Sequence, residues 1–223
     1  MTPPHPPSRP LVSRAGRYLV IHEESFADAG LSSNVYVTEQ DGKYYIFDAS
    51  GSPDLLSYVE VTGIHRGYIA GVILTHGHYD HVRGLKSVAG LDLPVFISKK
   101  DEALMKSTVG KVSAKGFESP EGVAVLESLS LKAVATPGHT PGSTCFYSER
   151  DGLLISGDTV FPEGYFGRTD LPGGSDAEML ASLELVSKLD VETMLPGHDM
   201  PVLEHASESI RASLACAKSM LRP

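Results

Sequence analysis

The sequence predicts an α/β protein of the αββα sandwich class, with two mixed β-sheets packed face to face and helices outside. Three observations predict it. Runs of β-branched and aromatic residues precede short helical segments, and this order occurs twice along the chain. Several apolar runs end in turns that set a Gly beside a His or Asp, which suits side chains converging on one sheet edge. A length of 223 residues with a 41% apolar share suits one large domain with an ample core.

Taken in order, residues 1–16 are a Pro-, Ser- and Arg-rich N-terminal arm with too few backbone donors for a regular element, and the domain spans 17–223. Residues 17–21 read as a first strand. Two β-branched and aromatic runs, 34–39 and 43–48, flank Gln40-Asp41-Gly42 and predict a hairpin. Ser52-Pro53-Asp54 opens a helix that carries Leu55, Leu56, Tyr58 and Val59 at helical spacing. A buried strand over 69–75 follows, then a helix through 82–88, a short strand at 94–98 and a short helix at 100–106. Residues 107–121, with little periodicity, predict a surface loop. Strands are expected at 122–126, 129–136, 143–148, 153–158 and 191–196, and helices at 177–189 and 204–221.

The net charge of −9 argues against a nucleic-acid partner and for cytoplasmic solubility, while leaving room for an anionic substrate held near a metal. No apolar run approaches membrane-spanning length, so no membrane partner is expected. The first residues lack the apolar core of a secretion signal, which points to the cytoplasm. Cys145 and Cys216 have no Cys-x-x-Cys spacing and read as small buried hydrophobes, neither ligands nor a disulfide.

Chemistry concentrates in Thr75-His76-Gly77-His78-Tyr79-Asp80-His81, directly after the buried strand. In an extended loop, residues two apart point the same way, so His76 and His78 can grip one metal. Asp80 and His81, past the turn and entering a helix, can grip a second. Three further turns supply more donors: Thr136-Pro137-Gly138-His139, Gly157-Asp158 and Pro196-Gly197-His198. His76, His78 and His139 then give one divalent metal three nitrogens, Asp80, His81 and His198 serve another, and Asp158 bridges the pair. Three protein ligands per metal leave a position for water, the mark of a catalytic site. His5, His22, His65 and His205 lack such turns and read as ordinary surface residues.

These segments resemble the metallo-β-lactamase fold superfamily, whose signature is a His-x-His-x-Asp-His loop followed by a later His, Asp and His. The resemblance covers residues from about 17 to about 200 and implies a metal pair at the sandwich edge, zinc first, with iron or manganese at the same ligands. Gly167-Arg168-Thr169-Asp170 resembles a stretch found in glyoxalase II-like hydrolases and in persulfide dioxygenases. This implies a role for Arg168 with Asp170 against the substrate or behind the ligands. Few other basic residues lie near the ligand turns: Lys99 and Lys100 after a strand, and Arg83 at a helix start.

The function implied is hydrolysis of a small-molecule thioester, with S-lactoylglutathione as a candidate. A metal-activated hydroxide attacks the carbonyl, and Asp80 orients that hydroxide as well as binding metal. Glyoxalase II proper carries a helical C-terminal domain, whereas 25 residues follow His198, so the resemblance is to the short glyoxalase II-like proteins. The alternatives are a mononuclear iron persulfide dioxygenase using His76, His139 and Asp158, and, ranked below it, a lactonase.

Overall fold

The structure, a computed structural model, describes residues 11–12, 18–21 and 31–222. Its first sheet runs β1 (Leu11–Val12), β2 (Tyr18–Ile21), β3 (Val35–Gln40), β4 (Lys43–Phe47), β5 (Ile69–Ile73) and β6 (Val95–Phe96) in chain order. The pairings are antiparallel up to β4, then parallel from β4 to β5 and from β5 to β6. The second sheet is ordered β10 (Thr193–Pro196), β9 (Leu153–Gly157), β8 (Thr144–Ser148) and β7 (Lys132–Ala135), with only β9 and β10 parallel. The helices are α1 (Leu55–Val61), α2 (Tyr79–Val82), α3 (Leu85–Val88), α4 (Glu102–Val109), α5 (Pro120–Ser128), α6 (Asp176–Val186) and α7 (Ala206–Met220).

Alternation along the strands builds the expected αββα sandwich. Tyr36, Phe47 and Ile73 face the second sheet, where they meet Phe146, Leu153 and Ile155. Their neighbours Val35, Val37, Val72 and Leu74 face outward, under Leu55 and Val59 of α1, Leu85 of α3 and Met105 of α4. On the far side Cys145, Tyr147 and Leu154 pack against Met179 and Leu183 of α6 and Ile210 of α7. Side chains two apart share a face, so β2–β6 and β8–β10 each feed two of these three apolar layers. The Gln40–Lys43 hairpin turns through Asp41 at φ 53° and Gly42 at φ 74°, a backbone twist that matches paired strands.

Several expectations need correction. Residues 122–126 lie in α5, not in a strand: the Ser119 side chain accepts from Gly122 N at 3.1 Å and Pro120 opens the first turn, an N-terminal signal that outweighs the short apolar run. The loop expected over 107–121 is shortened by α4 and α5 and anchored where Lys115 bridges Phe96. The helix expected over 82–88 is two short helices, separated at Arg83-Gly84, where Gly84 N donates to the Ser50 carbonyl at 3.1 Å and not within the helix. In the N-terminal arm Leu11–Val12 does form a strand, paired with Leu19 and Val20; the rest of that arm lies outside the described residues.

Both cysteines are free. Cys145 is buried, and burial pushes its thiol up to about 11, whereas Cys216 is only half-buried and its sulfur lies 3.4 Å from that of Met220. Among the described residues no helix is long and apolar enough to cross a membrane.

Candidate metal centre

Strand direction collects the ligands. Parallel β4 and β5 finish side by side, so Asp48 and the Thr75–His81 turn emerge together. Parallel β9 and β10 do the same for Asp158 and His198, with Gly197 N donating to the Gly157 carbonyl at 2.9 Å. Thr144 N, at the start of β8, donates to the Thr75 carbonyl at 3.0 Å and brings the His139 loop to the first sheet's edge. Gly197 has to be glycine here: a Cβ would collide with the Asp158 carboxylate and the His81 ring.

All seven side chains expected as ligands meet at this edge. His76 Nε2, His78 Nδ1 and His139 Nε2 form one cluster, with contacts of 3.1 Å from His76 to His78 and 2.8 Å from His78 to His139. Asp80, His81 and His198 form another, in which His198 Nε2 lies 3.1 Å from Asp80 Oδ2. Asp158 lies between them. Its Oδ2 is 3.3 Å from His139 Nε2 and 3.5 Å from His198 Nε2, and its Oδ1 is 3.2 Å from His81 Nε2. Asp158 also groups with His76 and His81, one residue from each cluster.

Protonation favours lone pairs pointing inward. His139 Nδ1 donates to the Arg168 carbonyl at 2.8 Å, and His81 Nδ1 to Asp48 Oδ2 at 2.8 Å; neither acceptor has a proton to give. Burial, with the neighbouring imidazoles, holds His76 well below the ordinary histidine value and also lowers His78. Burial raises Asp158, but His81 and His198 outweigh it and hold the carboxyl well below the usual range; Asp80 is lowered in the same way. For His81 burial acts downward, yet Asp158, Asp48 and Asp80 outweigh it and push the imidazole up to about 10. Positive charge is therefore called for at this point, and a proton or a divalent cation can supply it.

A metal fits this donor set. His81 Nε2 and Asp158 Oδ1 are buried and have no hydrogen-bond partner, although they face each other. Two buried polar atoms without partners, facing each other, are costly unless a cation joins them. Imidazole and carboxylate without thiolate suit zinc, iron or manganese alike.

Three buried clamps behind the ligands escaped sequence reasoning. Asp48 at φ 57° accepts from Thr75 N and Thr75 Oγ1, each at 2.8 Å, as well as from His81. The signal existed, since Asp48 follows an apolar strand just as Asp158 does. Asp101, fully buried, accepts from Gly77 N at 2.9 Å, Thr140 Oγ1 at 2.7 Å and Gly142 N at 2.7 Å, which ties the His76–His78 turn to the His139 loop. It falls within the run 100–106 read as a short helix, where nothing in the local pattern set it apart. Asn34 and Tyr36 donate to the Pro196 carbonyl at 3.1 and 2.6 Å, and Asn34 also to the Asp199 carbonyl, gripping the turn that carries His198. Such partners orient ligands and fix their tautomers.

The remaining expected residues fall into place around a cavity of about 420 Å³ that opens onto the ligands and is walled by Leu31, Tyr79, Phe161, Phe166 and Leu171. Arg168 lines it too, with Nε and Nη2 each 2.9 Å from the Asp170 carboxylate in an exposed pair. His65 and His205 are exposed and away from the cluster, as expected; His5 and His22 lie outside the described residues.

Residues 28–198 match the model of the metallo-beta-lactamase superfamily, and the chain belongs to that superfamily. A probable metallo-hydrolase of Bacillus subtilis, YqgX, is 30% identical over 193 residues, covering 80% of this chain and 87% of that protein. Glyoxylase B2 of Dictyostelium discoideum is 27% identical over 210 residues, 87% of this chain and 69% of its own length. Among solved structures, TTHA1623 in a di-iron-bound form superposes with a TM-score of 0.67 at 25% identity, covering 87% of this chain and 96% of that one. The DIM-1 metallo-beta-lactamase, at 18% identity and a TM-score of 0.72, shares the fold. The class is thus a metallo-hydrolase superfamily protein with a His/Asp site for divalent metal.

Proposed function

We propose that this chain is a glyoxalase II-like hydrolase that cleaves a small-molecule thioester, such as a hydroxyacylglutathione, with two divalent metals, zinc first. The observation that carries the reading is the pair of complete ligand clusters with Asp158 between them, at the floor of a cavity with apolar walls. Its similarity to Glyoxylase B2 supports the same reading. When bound, the metal pair supplies an acidified water and a Lewis acid for the carbonyl oxygen.

The chain's own residues do the rest. Leu31, Phe161, Phe166 and Leu171 exclude water from the thioester and lower the local dielectric. Asp80, held ionised beside His198, orients the attacking water and accepts its hydrogen bond. The departing thiolate is stable enough to need no strong general acid. On this reading the substrate is a small molecule met in the cytoplasm, without nucleic acid or membrane, as the net charge of −9 favours.

The protein isolated without added metal is expected to hydrolyse a glutathione thioester with no oxygen uptake. Oxygen consumption on glutathione persulfide, with iron bound and no thioesterase activity, would transfer it to the dioxygenases. Arg168, fixed by Asp170, offers the substrate a planar fork. Arg168→Lys is expected to raise KM more than it lowers kcat, with metal content intact. A fall in metal affinity of roughly ten- to a hundredfold would instead assign it to bracing the His139 loop.

A further inference from the structure

In a chain of net charge −9, an anionic substrate needs a local cation. Arg168 is the cation that lines the cavity, but the Asp170 carboxylate holds its Nε and Nη2 and balances its charge, so it offers the substrate only its outer Nη1 edge and no net charge. A second arginine stands just behind the wall. Arg83 follows α2 and reaches back one turn to Tyr79, where its Nη1 donates to the phenolic oxygen at 2.6 Å and its guanidinium carbon lies 5.3 Å from the ring centre. The same nitrogen donates to the Gly51 carbonyl at 3.2 Å. Both partners are neutral, and among the described residues no carboxylate pairs with Arg83.

Tyr79 belongs to the cavity wall, between the ligands His78 and Asp80, and is 44% exposed. Its hydroxyl accepts from Arg83, so its own proton is free to donate outward, and the adjacent positive charge strengthens that donation. The Nε and Nη2 hydrogens of Arg83 remain available beside it. A hydroxyl and a guanidinium edge held together by a 2.6 Å bond present the donor pattern a carboxylate takes.

We propose that Tyr79 and Arg83 form an anion-recognition subsite at the cavity rim, which holds a carboxylate on the tail of the substrate while the thioester reaches the ligand cluster. This rests on the thioesterase reading and adds to it the residues that select a thiol half carrying a carboxylate.

The test compares an acetyl thioester of glutathione with the acetyl thioester of N-acetylcysteamine, which has no charge. In Arg83→Gln and in Tyr79→Phe, the ratio of kcat/KM for the charged substrate over the neutral one is expected to fall, on the order of tenfold for Arg83→Gln and less for Tyr79→Phe, with metal content retained. Arg83→Lys, which keeps the charge without the fork, should fall between Arg83→Gln and wild type. An unchanged ratio in Arg83→Gln overturns the subsite. If the wild type cleaves neither thioester, the hydrolase reading fails, and the subsite is then judged by calorimetric titration with S-methylglutathione. Binding weakened about tenfold by Arg83→Gln upholds it, and equal binding, or none to the wild type, overturns it.

Discussion

Asp158→Ala is expected to lower the content of both metals, not of one. Asp158 Oδ2 is 3.3 Å from His139 of one cluster and 3.5 Å from His198 of the other, and Oδ1 is 3.2 Å from His81. No other carboxylate among the described residues touches both. Removing it takes a ligand from each metal at once and leaves His81 Nε2 without its facing charge. The loss should exceed the roughly ten- to hundredfold typical of partners that act only through a ligand. Elemental analysis of protein isolated without added metal, and competition with a chelator, measure it. Exposed His205, paired loosely with Glu192 at 3.8 Å, serves as the control, and His205→Ala should keep its metal. Full occupancy by two metals in Asp158→Ala would remove the bridge from the description.

The second large effect is expected at a residue that touches no ligand. Asp101→Ala leaves Gly77 N, Gly142 N and the Thr140 hydroxyl buried without their acceptor. A buried donor left unpaired costs about 1–3 kcal/mol, so losing the shared acceptor of three should destabilise the fold by about 3 kcal/mol or more. Denaturant unfolding measures this. No rearrangement can easily refill the gap, because Gly142 lies so close to the carboxylate that a Cβ would overlap it. Asp101→Asn keeps the volume and one acceptor, so it should fold. It cannot accept from all three donors, so the two loops should separate and metal affinity should fall, by about tenfold or more, at the His76, His78 and His139 cluster. A stable Asp101→Asn with undiminished metal affinity would make Asp101 a folding residue and nothing more.

The metal centre was legible because its grammar is local. An apolar run, a glycine turn and a His or Asp recur at positions 76–81, 139, 158 and 198, and strand periodicity already says which side of the turn each residue takes. The sandwich was legible for the same reason: Val35, Tyr36 and Val37, or Val72, Ile73 and Leu74, carry their two-faced burial in their alternation. The exception, α5, shows the limit of period alone, since Ser119 and Pro120 start a helix that the apolar residues after them did not reveal.

The sequence by itself therefore determined most of the strands, the seven donors that converge at one edge and the division of the 76–81 loop between two ligand clusters. Only the tertiary structure decided what stands behind them. Asp48 meets His81 across 33 residues, Asp101 meets Gly142 across 41, and Asn34 meets Pro196 across 162. Such pairings are set by sheet order and parallel register, which no local pattern encodes. Burial then turns each of them from a weak surface contact into a bond whose loss leaves a charge or a donor unpaired in low dielectric.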